Sequence, residues 1–547
     1  MPAQKNWQDR ALEARRHRDE GLARVQPALE GLPRALPKNS TGLAKALLTP
    51  REFELTEKYT ATDLLYKLRT KELSSEEVTR AFLRRAALAQ ASTNCLTDLL
   101  WDEAIDRARY LDSLPEPLGP LHLSAPETWV LTPDNSPIMF EEAITDSGYC
   151  SGLPISTKEH HGSKSRNGTA NASYIAWIGK PHGSNPLYDI LWDAGCVFFA
   201  RTTQPQTLMH LETNNNIFGR TVNPYNRDLT SGGSSGGEAA LIGMRGSLLT
   251  INWTAAIWWS SSTYGREGRD PSDYAKPWLT NPSLVVKEWS PHKFDRPLKI
   301  AILWWDGVVM PHPPITRALR EVSDACKTAG MEVVDWDCET LDHQTAWEII
   351  SALYWPDGGE EVLGLLEQSG EPILPLTKFI IQEQQTVKKL DMAGLFQLCA
   401  RRDEYRERYA RHWNKTGELD GREVDVILCP PSFGAAMPHD QSRYWGYTSQ
   451  WNLLDYPGAV FPVSTVNQEK DKRDDGYVPK NEQDKMCYEL YSPERYKDAP
   501  ISLQIVGRRY HEEKVIAALA EIERALASPI SYKIIERNLQ AKQAAIS

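Results

Sequence analysis

Residues 231–245 read SGGSSGGEAALIGMR, and this glycine-rich stretch carries the most information about the fold. Four glycines flank Ser234 and Ser235, and the residues from Glu238 onward predict the start of a helix. Glycine lets a backbone adopt positive φ and approach a ligand closely, while a helix N-terminus directs free N–H groups at developing negative charge. The stretch therefore indicates a ligand-contacting loop; a flexible Gly/Ser linker is the alternative interpretation of the same composition.

A second candidate is Lys158, which lies in the stretch GLPISTKEHHG at residues 152–162. The apolar residues before it predict a strand that delivers the lysine towards the interior. A lysine that acts as a base must be neutral, so its pKa of about 10.4 has to fall by roughly three units, or about 4 kcal/mol. A solvent-facing lysine is the alternative. The adjacent His160 and His161 point in different directions, and no HExxH or Cys/His ladder is present, so we predict no metal site.

The rest of the chain alternates helical and strand-like patterns. Residues 187–200 and 315–337 each pass from a helical pattern through a glycine into a β-rich run. Further buried strands are predicted at 299–305, 424–429, 460–466 and 501–506, and a long helix follows the last of them. This alternation predicts an α/β layer architecture. Residues 1–48 are charged and Arg-rich and predict an N-terminal helical arm.

Composition excludes several classes of protein. The chain has 547 residues, of which 41% are hydrophobic and 25% charged, so wholesale disorder is excluded. The net charge of −11, without a basic stripe, argues against nucleic-acid and anionic-membrane partners. Eight cysteines without a CxxC pair and a polar N-terminus predict a reducing, cytoplasmic location. No apolar run reaches the length of a membrane helix.

Four segments together resemble a known family. They are GLPISTKEH at 152–160, ARTTQPQTLMHLETNNNIFGRTVNPYNRDLTSGGSSGGEAAL at 200–241, SRYWGYTSQWNLLDYPGAVFPV at 442–463 and SLQIVGRRYHEEKVIAAL at 502–519. They resemble the amidase signature family, and within it the fungal acetamidase or general amidase branch, over roughly residues 45–530. The resemblance implies one large domain at 49–535, built on a large mixed β-sheet flanked by helices.

The resemblance also implies a Ser-Ser-Lys mechanism. Lys158 matches the lysine of the triad, and Ser234 matches the bridging serine, which the family holds with a cis peptide bond. A neutral Lys158 would take the proton of Ser234, which would in turn deprotonate a nucleophilic serine that becomes acylated. The implied substrate-binding residues are Gly233, Ser235, Gly236 and Leu208. The implied substrate is a small linear amide, with no metal or organic cofactor, and the implied assembly is a homodimer.

The expected nucleophile segment departs from the family pattern. Relatives continue with a stretch like SPLGVGTDIGGSIR, whose last serine of GGS is acylated, whereas residues 247–265 read SLLTINWTAAIWWSSSTYG. An ungapped alignment from Ser234 places Trp258 at the nucleophile and Ala256 and Ile257 at the two glycines. Ser260 is our candidate nucleophile if the loop is shortened. Residues 247–277 are therefore an atypical nucleophile region, and residues 123–151 resemble an insertion loop.

Two main hypotheses follow. The first is an acetamidase-like hydrolase of the C–N bond of small carboxamides, which acts through an acyl-enzyme. The alternative is a catalytically impaired protein of the same fold, either a pseudoenzyme or the product of an altered gene model, that lacks the usual nucleophile. A third hypothesis, transfer of ammonia within a larger complex, predicts co-purifying subunits.

Overall fold

The computed structural model describes residues 6–115, 129–131, 137–139, 151–159, 173–180, 186–251 and 292–527. The chain forms two compact units. The first consists of Met1–Trp289 and Val362–Leu374, and the second of Ser290–Glu361 and Pro375–Ser547. Residues 6–48 lie within the first unit. The sequence interpretation, which is a helical arm at 1–48 followed by one domain at 49–535, stays a prediction.

The first unit begins with a series of helices. They are α1 (Trp7–Ala23), α2 (Leu43–Leu47), α3 (Pro50–Glu57), α4 (Ala61–Arg69), α5 (Ser75–Thr93) and α6 (Trp101–Ser113), with α7 (Pro186–Asp193) and α8 (Gly236–Gly243) later in the chain. Ser74 precedes α5, and its side chain accepts a hydrogen bond from the Glu77 backbone N–H at 3.1 Å. Val78 and Phe82 on this helix are buried in the main core of the unit.

A four-stranded mixed sheet lies in the first unit. Its strands, in spatial order, are β1 (Leu96–Leu99), β5 (Val197–Thr202), β4 (Pro154–Lys158) and β8 (Thr250–Ile251). Strand β4 runs parallel to both neighbours, whereas β1 and β5 are antiparallel. All five residues of β4 are buried, as the apolar pattern GLPIS at residues 152–156 predicts. The sheet thus carries the predicted lysine strand between two parallel neighbours.

Two small hairpin-like pairs complete the strands of this unit. Strands β6 (Asn214–Asn215) and β7 (Gly219–Arg220) pair antiparallel. Strands β2 (Trp129–Leu131) and β3 (Pro137–Met139) also pair antiparallel and fall within the proposed insertion. Most of residues 123–151 lies outside the described residues, so the insertion stays a prediction.

The second unit is built on a five-stranded sheet. The strand order is β10 (Glu332–Asp335), β9 (Lys299–Ile302), β11 (Val426–Cys429), β13 (Pro500–Val506) and β12 (Gly458–Thr465). Strand β9 is parallel to both neighbours, and β13 is antiparallel to both of its own. Among the described residues, the helices wholly within this unit are α9 (Pro313–Thr328), α10 (His343–Tyr354), α12 (Pro375–Gln382), α13 (Met392–Lys415), α14 (Gly446–Leu454), α15 (Glu482–Glu489) and α16 (Glu512–Ala527). Helix α11 (Glu360–Ser369) lies at the boundary, with residues 362–369 in the first unit. These two mixed sheets and their helices confirm the predicted α/β class.

Candidate active site

Lys158 is the last residue of β4 and is buried, with 5% of its surface exposed. The strand that carries it is held by apolar packing, since Ile155 lies in a cluster with Leu191 and Cys196. The backbone of Lys158 pairs with Thr202 of β5. The solvent-facing alternative for this lysine is therefore wrong, because the strand pairs on both sides and directs the side chain into the protein.

The structure brings Ser234 to this lysine. The Nζ atom of Lys158 lies 2.7 Å from Oγ of Ser234, although the two residues are 76 positions apart in the chain. The peptide bond between Gly233 and Ser234 is cis. The loop then enters α8, which begins at Gly236, two residues earlier than the sequence predicts.

The glycines of this loop are required by close packing. A Cβ atom at Gly233 would lie 2.5 Å from the carbonyl oxygen of His210 and 2.6 Å from the backbone nitrogen of Glu212. A Cβ atom at Gly237 would lie 2.6 Å from the carbonyl oxygen of Thr203. Gly232 has φ of +94°, a conformation that favours glycine. The linker interpretation is therefore wrong, since this segment is packed against residues 203–213.

Thr213 joins the two ends of the loop. Its Oγ1 atom accepts a hydrogen bond from the backbone N–H of Gly236 and donates one to the carbonyl oxygen of Gly232, both at 3.0 Å. The residue is 1% exposed. Because the first N–H groups of a helix have no partner within the helix, this hydroxyl supplies one at the start of α8. Thr213 thus fixes the backbone on both sides of Ser234.

Burial changes the protonation of Lys158. Desolvation lowers the pKa of Lys158 from 10.5 to about 8, and the negative charge of Glu238 opposes this shift. A pKa near 8 leaves about a tenth of the lysine neutral at pH 7. The neutral amine that general-base chemistry needs is therefore accessible near physiological pH.

Glu238 is a member of the site that sequence reasoning missed. Its carboxylate accepts hydrogen bonds from Ser156 Oγ at 2.6 Å and from Thr202 Oγ1 at 2.9 Å. The Oγ atoms of Ser156 and Ser247 lie 2.9 Å apart. The signal that could have found it is a glutamate in the first turn of a helix otherwise made of small and apolar residues, which predicts a buried carboxylate in need of partners.

The remaining predicted residues are placed as follows. Gly233, Ser235 and Gly236 lie on the loop beside Ser234, and Ser235 precedes α8 without capping it through its side chain. Leu208 lies on the segment that packs under this loop, with φ of +66°, and its side chain packs in a cluster with Tyr174 and Leu366. Its part in substrate binding stays a prediction. Trp258 and the candidate nucleophile Ser260 lie outside the described residues, as do 252–277 of the atypical region.

The described residues also bear on metals and membranes. Within the described ranges, no group of three or more His, Cys, Asp or Glu side chains could hold a metal ion. No helix in the described part of the chain is long and apolar enough to cross a membrane.

Comparison with known proteins places this geometry in context. Residues 141–252 and 266–516 match the family model described as amidase. The chain is 32% identical to an acetamidase of Emericella nidulans, over 94% of this chain and 96% of that protein. It is 31% identical to an acetamidase of Aspergillus oryzae, over 95% and 99%. A solved structure of fatty acid amide hydrolase superposes with a TM-score of 0.78 at 28% identity, covering 95% of each chain.

Proposed function

The chain belongs to the amidase family, with fungal acetamidases among its relatives, and we propose that it hydrolyses the C–N bond of small linear carboxamides with Lys158 as base and Ser234 as proton shuttle. Hydrolysis of amide C–N bonds follows from the family. The observation that supports the finer proposal is the 2.7 Å contact between Lys158 Nζ and Ser234 Oγ at a buried lysine whose pKa is lowered.

The proposed steps conserve atoms and protons. Neutral Lys158 takes the proton of Ser234, and Ser234 takes the proton of the nucleophilic serine, which we propose is Ser260. The serine oxygen forms a bond to the amide carbonyl carbon, and the C–N bond breaks as the leaving nitrogen receives a proton back through Ser234. Water then repeats the sequence on the acyl-enzyme and releases the acid. We further propose a cytoplasmic homodimer that needs no metal or organic cofactor.

Hydrolysis of acetamide and of an aromatic amide tests this function. We expect turnover in the wild type and its loss, by a factor of at least about a thousand, in Lys158→Ala and Ser234→Ala. Matched controls are Lys389→Ala, whose exposed side chain pairs with Glu360, and Ser113→Ala on the surface of α6. Unchanged turnover in Lys158→Ala would refute its role as the base.

The impaired alternative rests on Trp258 at the aligned nucleophile position. It predicts a well-folded wild type that turns over no amide. Trapping with a fluorophosphonate, followed by mapping of the labelled residue, separates the two hypotheses. Label on Ser260 supports the hydrolase; label on another serine corrects the nucleophile; label on none, without turnover, supports the impaired protein.

A further inference from the structure

A buried carboxylate lies on the helix that follows the serine loop. We propose that Glu238 is a positioning residue for the proposed reaction, which fixes the strand that carries Lys158 and supplies the negative charge that this lysine experiences. The inference rests on the proposed function for its catalytic consequence, but its physical content can be measured without turnover.

The geometry connects Glu238 to both strands at the lysine. Each of its carboxylate oxygens accepts one hydroxyl, from Ser156 on β4 and from Thr202 on β5. Ser156 is two residues before Lys158, so the two side chains point to the same face of the sheet. Thr202 is the residue whose backbone pairs with Lys158. One carboxylate therefore binds the lysine's own strand and its paired neighbour on the face where the amine lies.

The Glu238 carboxylate and its two hydroxyl donors are buried, which strengthens the effect of its charge on nearby groups. Glu238 is 2% exposed, and Ser156 and Thr202 are fully buried. Hydroxyls that donate to both oxygens stabilise the ionised form, because an ionised carboxylate can only accept hydrogen bonds. Charges interact more strongly in such an environment than in water. Glu238 is accordingly the charged neighbour that raises the pKa of Lys158 against the effect of burial.

The other ionisable groups named here around the same sheet either form ion pairs or are kept neutral by burial. Glu159, the residue after β4, and Arg201 on β5 lie 3.9 Å apart and form an ion pair. Burial raises the pKa of the Tyr188 phenol on α7, which keeps it neutral. The buried thiol of Cys95 also stays neutral, with its pKa raised to about 12. Helix α5 contributes two arginines that pair with glutamates of α3, namely Arg84 with Glu52 and Arg85 with Glu57.

The negative charge of Glu238 acts on the protonated form of Lys158 during the proposed reaction. Lys158 becomes an ammonium when it takes the proton of Ser234, and a nearby carboxylate stabilises that state. Without Glu238, burial alone would act on the lysine, which would be neutral over a wider pH range but a weaker base. The carboxylate thus offsets part of the lowering of the Lys158 pKa by desolvation, so that the amine can both lose its proton and regain it.

The substitution Glu238→Gln separates charge from shape. Glutamine keeps the side-chain length and a carbonyl that accepts one hydroxyl, but it carries no charge. We expect the titration midpoint of Lys158 to shift to lower pH by about one unit. The readout that does not depend on activity is an NMR titration of ¹³C-labelled lysine, with the Lys158 signal assigned from Lys158→Met. In the active enzyme, the acid limb of kcat/KM should shift by the same amount, and kcat above pH 9 should fall several-fold.

Controls and outcomes keep the inference testable. Glu57→Gln removes an equal charge from α3 and should leave the midpoint of Lys158 unchanged; Glu238→Asp retains the charge and should shift it less than Glu238→Gln does. If Glu238→Gln does not fold, Thr202→Val is the second variant. It removes a hydroxyl that donates to the Glu238 carboxylate, which makes the ionised carboxylate less stable, and it should shift the midpoint of Lys158 in the same direction. An unmoved midpoint in a folded variant would overturn the inference. A shifted midpoint in a protein without turnover would support it while refuting the proposed function.

Discussion

Thr213→Val is the substitution that best tests how the serine loop is held. Valine has nearly the shape of threonine, so the change removes the hydroxyl with little change in side-chain volume at this buried position. Two hydrogen bonds of 3.0 Å are lost, one from the N–H of Gly236 and one to the carbonyl of Gly232.

The expected cost follows from these two bonds. Leaving the buried N–H of Gly236 without a partner costs roughly 1–3 kcal/mol, and losing the bond to Gly232 costs about 1 kcal/mol more. We therefore expect the opening free energy of the loop to fall by about 2–4 kcal/mol. A loss of 2 kcal/mol corresponds to a roughly 30-fold larger population of the opened loop, from which hydrogen exchange occurs. The contact between Lys158 and Ser234 depends on this loop, so kcat/KM should fall as well.

Hydrogen exchange followed by mass spectrometry measures this directly. Peptides that cover residues 229–243 should exchange at least about 30-fold faster in Thr213→Val. Thr328→Val is the matched control, because its exposed hydroxyl donates to the carbonyl of Asp324 and no backbone N–H depends on it. Exchange in Thr213→Val that equals the wild type would refute the argument, since the loop would then be held by other contacts.

Three further predictions concern the same site. Because the pKa of Lys158 is lowered to about 8 and the base must be neutral, kcat/KM should rise about tenfold per pH unit below pH 8 and level off above it. A profile of kcat/KM that is flat from pH 6 to 9 would contradict the assignment of Lys158 as the base. The folded pKa of Lys158 lies below the unfolded value of 10.5, so unfolding binds a proton between these values and the stability contributed by Lys158 rises with pH across that window. At pH 7 the lowered pKa costs the folded protein about 3.4 kcal/mol, and loss of the contact with Ser234 offsets about 1 kcal/mol of the gain, so Lys158→Met should be more stable than the wild type by about 2 kcal/mol in urea denaturation. Gly237→Ala should cost about 1–3 kcal/mol because its Cβ would meet the backbone of Thr203, whereas the control Gly364→Ala, with open space in α11, should gain about 0.5–1 kcal/mol in the same denaturation experiment.

The elements that the sequence predicts are those whose signal is local. The pattern at residues 315–337 predicts a helix, a glycine and a strand, and the structure has α9 at Pro313–Thr328 and β10 at Glu332–Asp335. The run at 299–305 predicts a strand, and β9 spans Lys299–Ile302. Amphipathic periodicity and short buried runs encode such elements within a few neighbouring residues. The division into two compact units, by contrast, depends on which elements pack together, and neither length nor composition specifies that.

The site was predicted only as far as the family resemblance reached. The residues alone leave Lys158 open to a solvent-facing interpretation and the serine stretch open to a linker interpretation. The hydrogen bonds of Glu238 reach 82 residues back to Ser156, and Thr213 lies 23 residues before Gly236. No periodicity or spacing rule connects positions so far apart, because their proximity arises from the order of strands in the sheet.

The glycine-rich loop shows why composition alone could not decide between a linker and an active-site loop. A linker needs glycine for freedom in solvent, and it would tolerate alanine at most positions. Here a Cβ atom at Gly233 or Gly237 would collide with backbone atoms that cannot move aside cheaply, and Gly232 has positive φ. The glycines therefore allow close approach, which removes freedom from the loop. A loop fixed before substrate arrives loses little entropy when the reaction begins, so the contact between Lys158 and Ser234 is in place in advance.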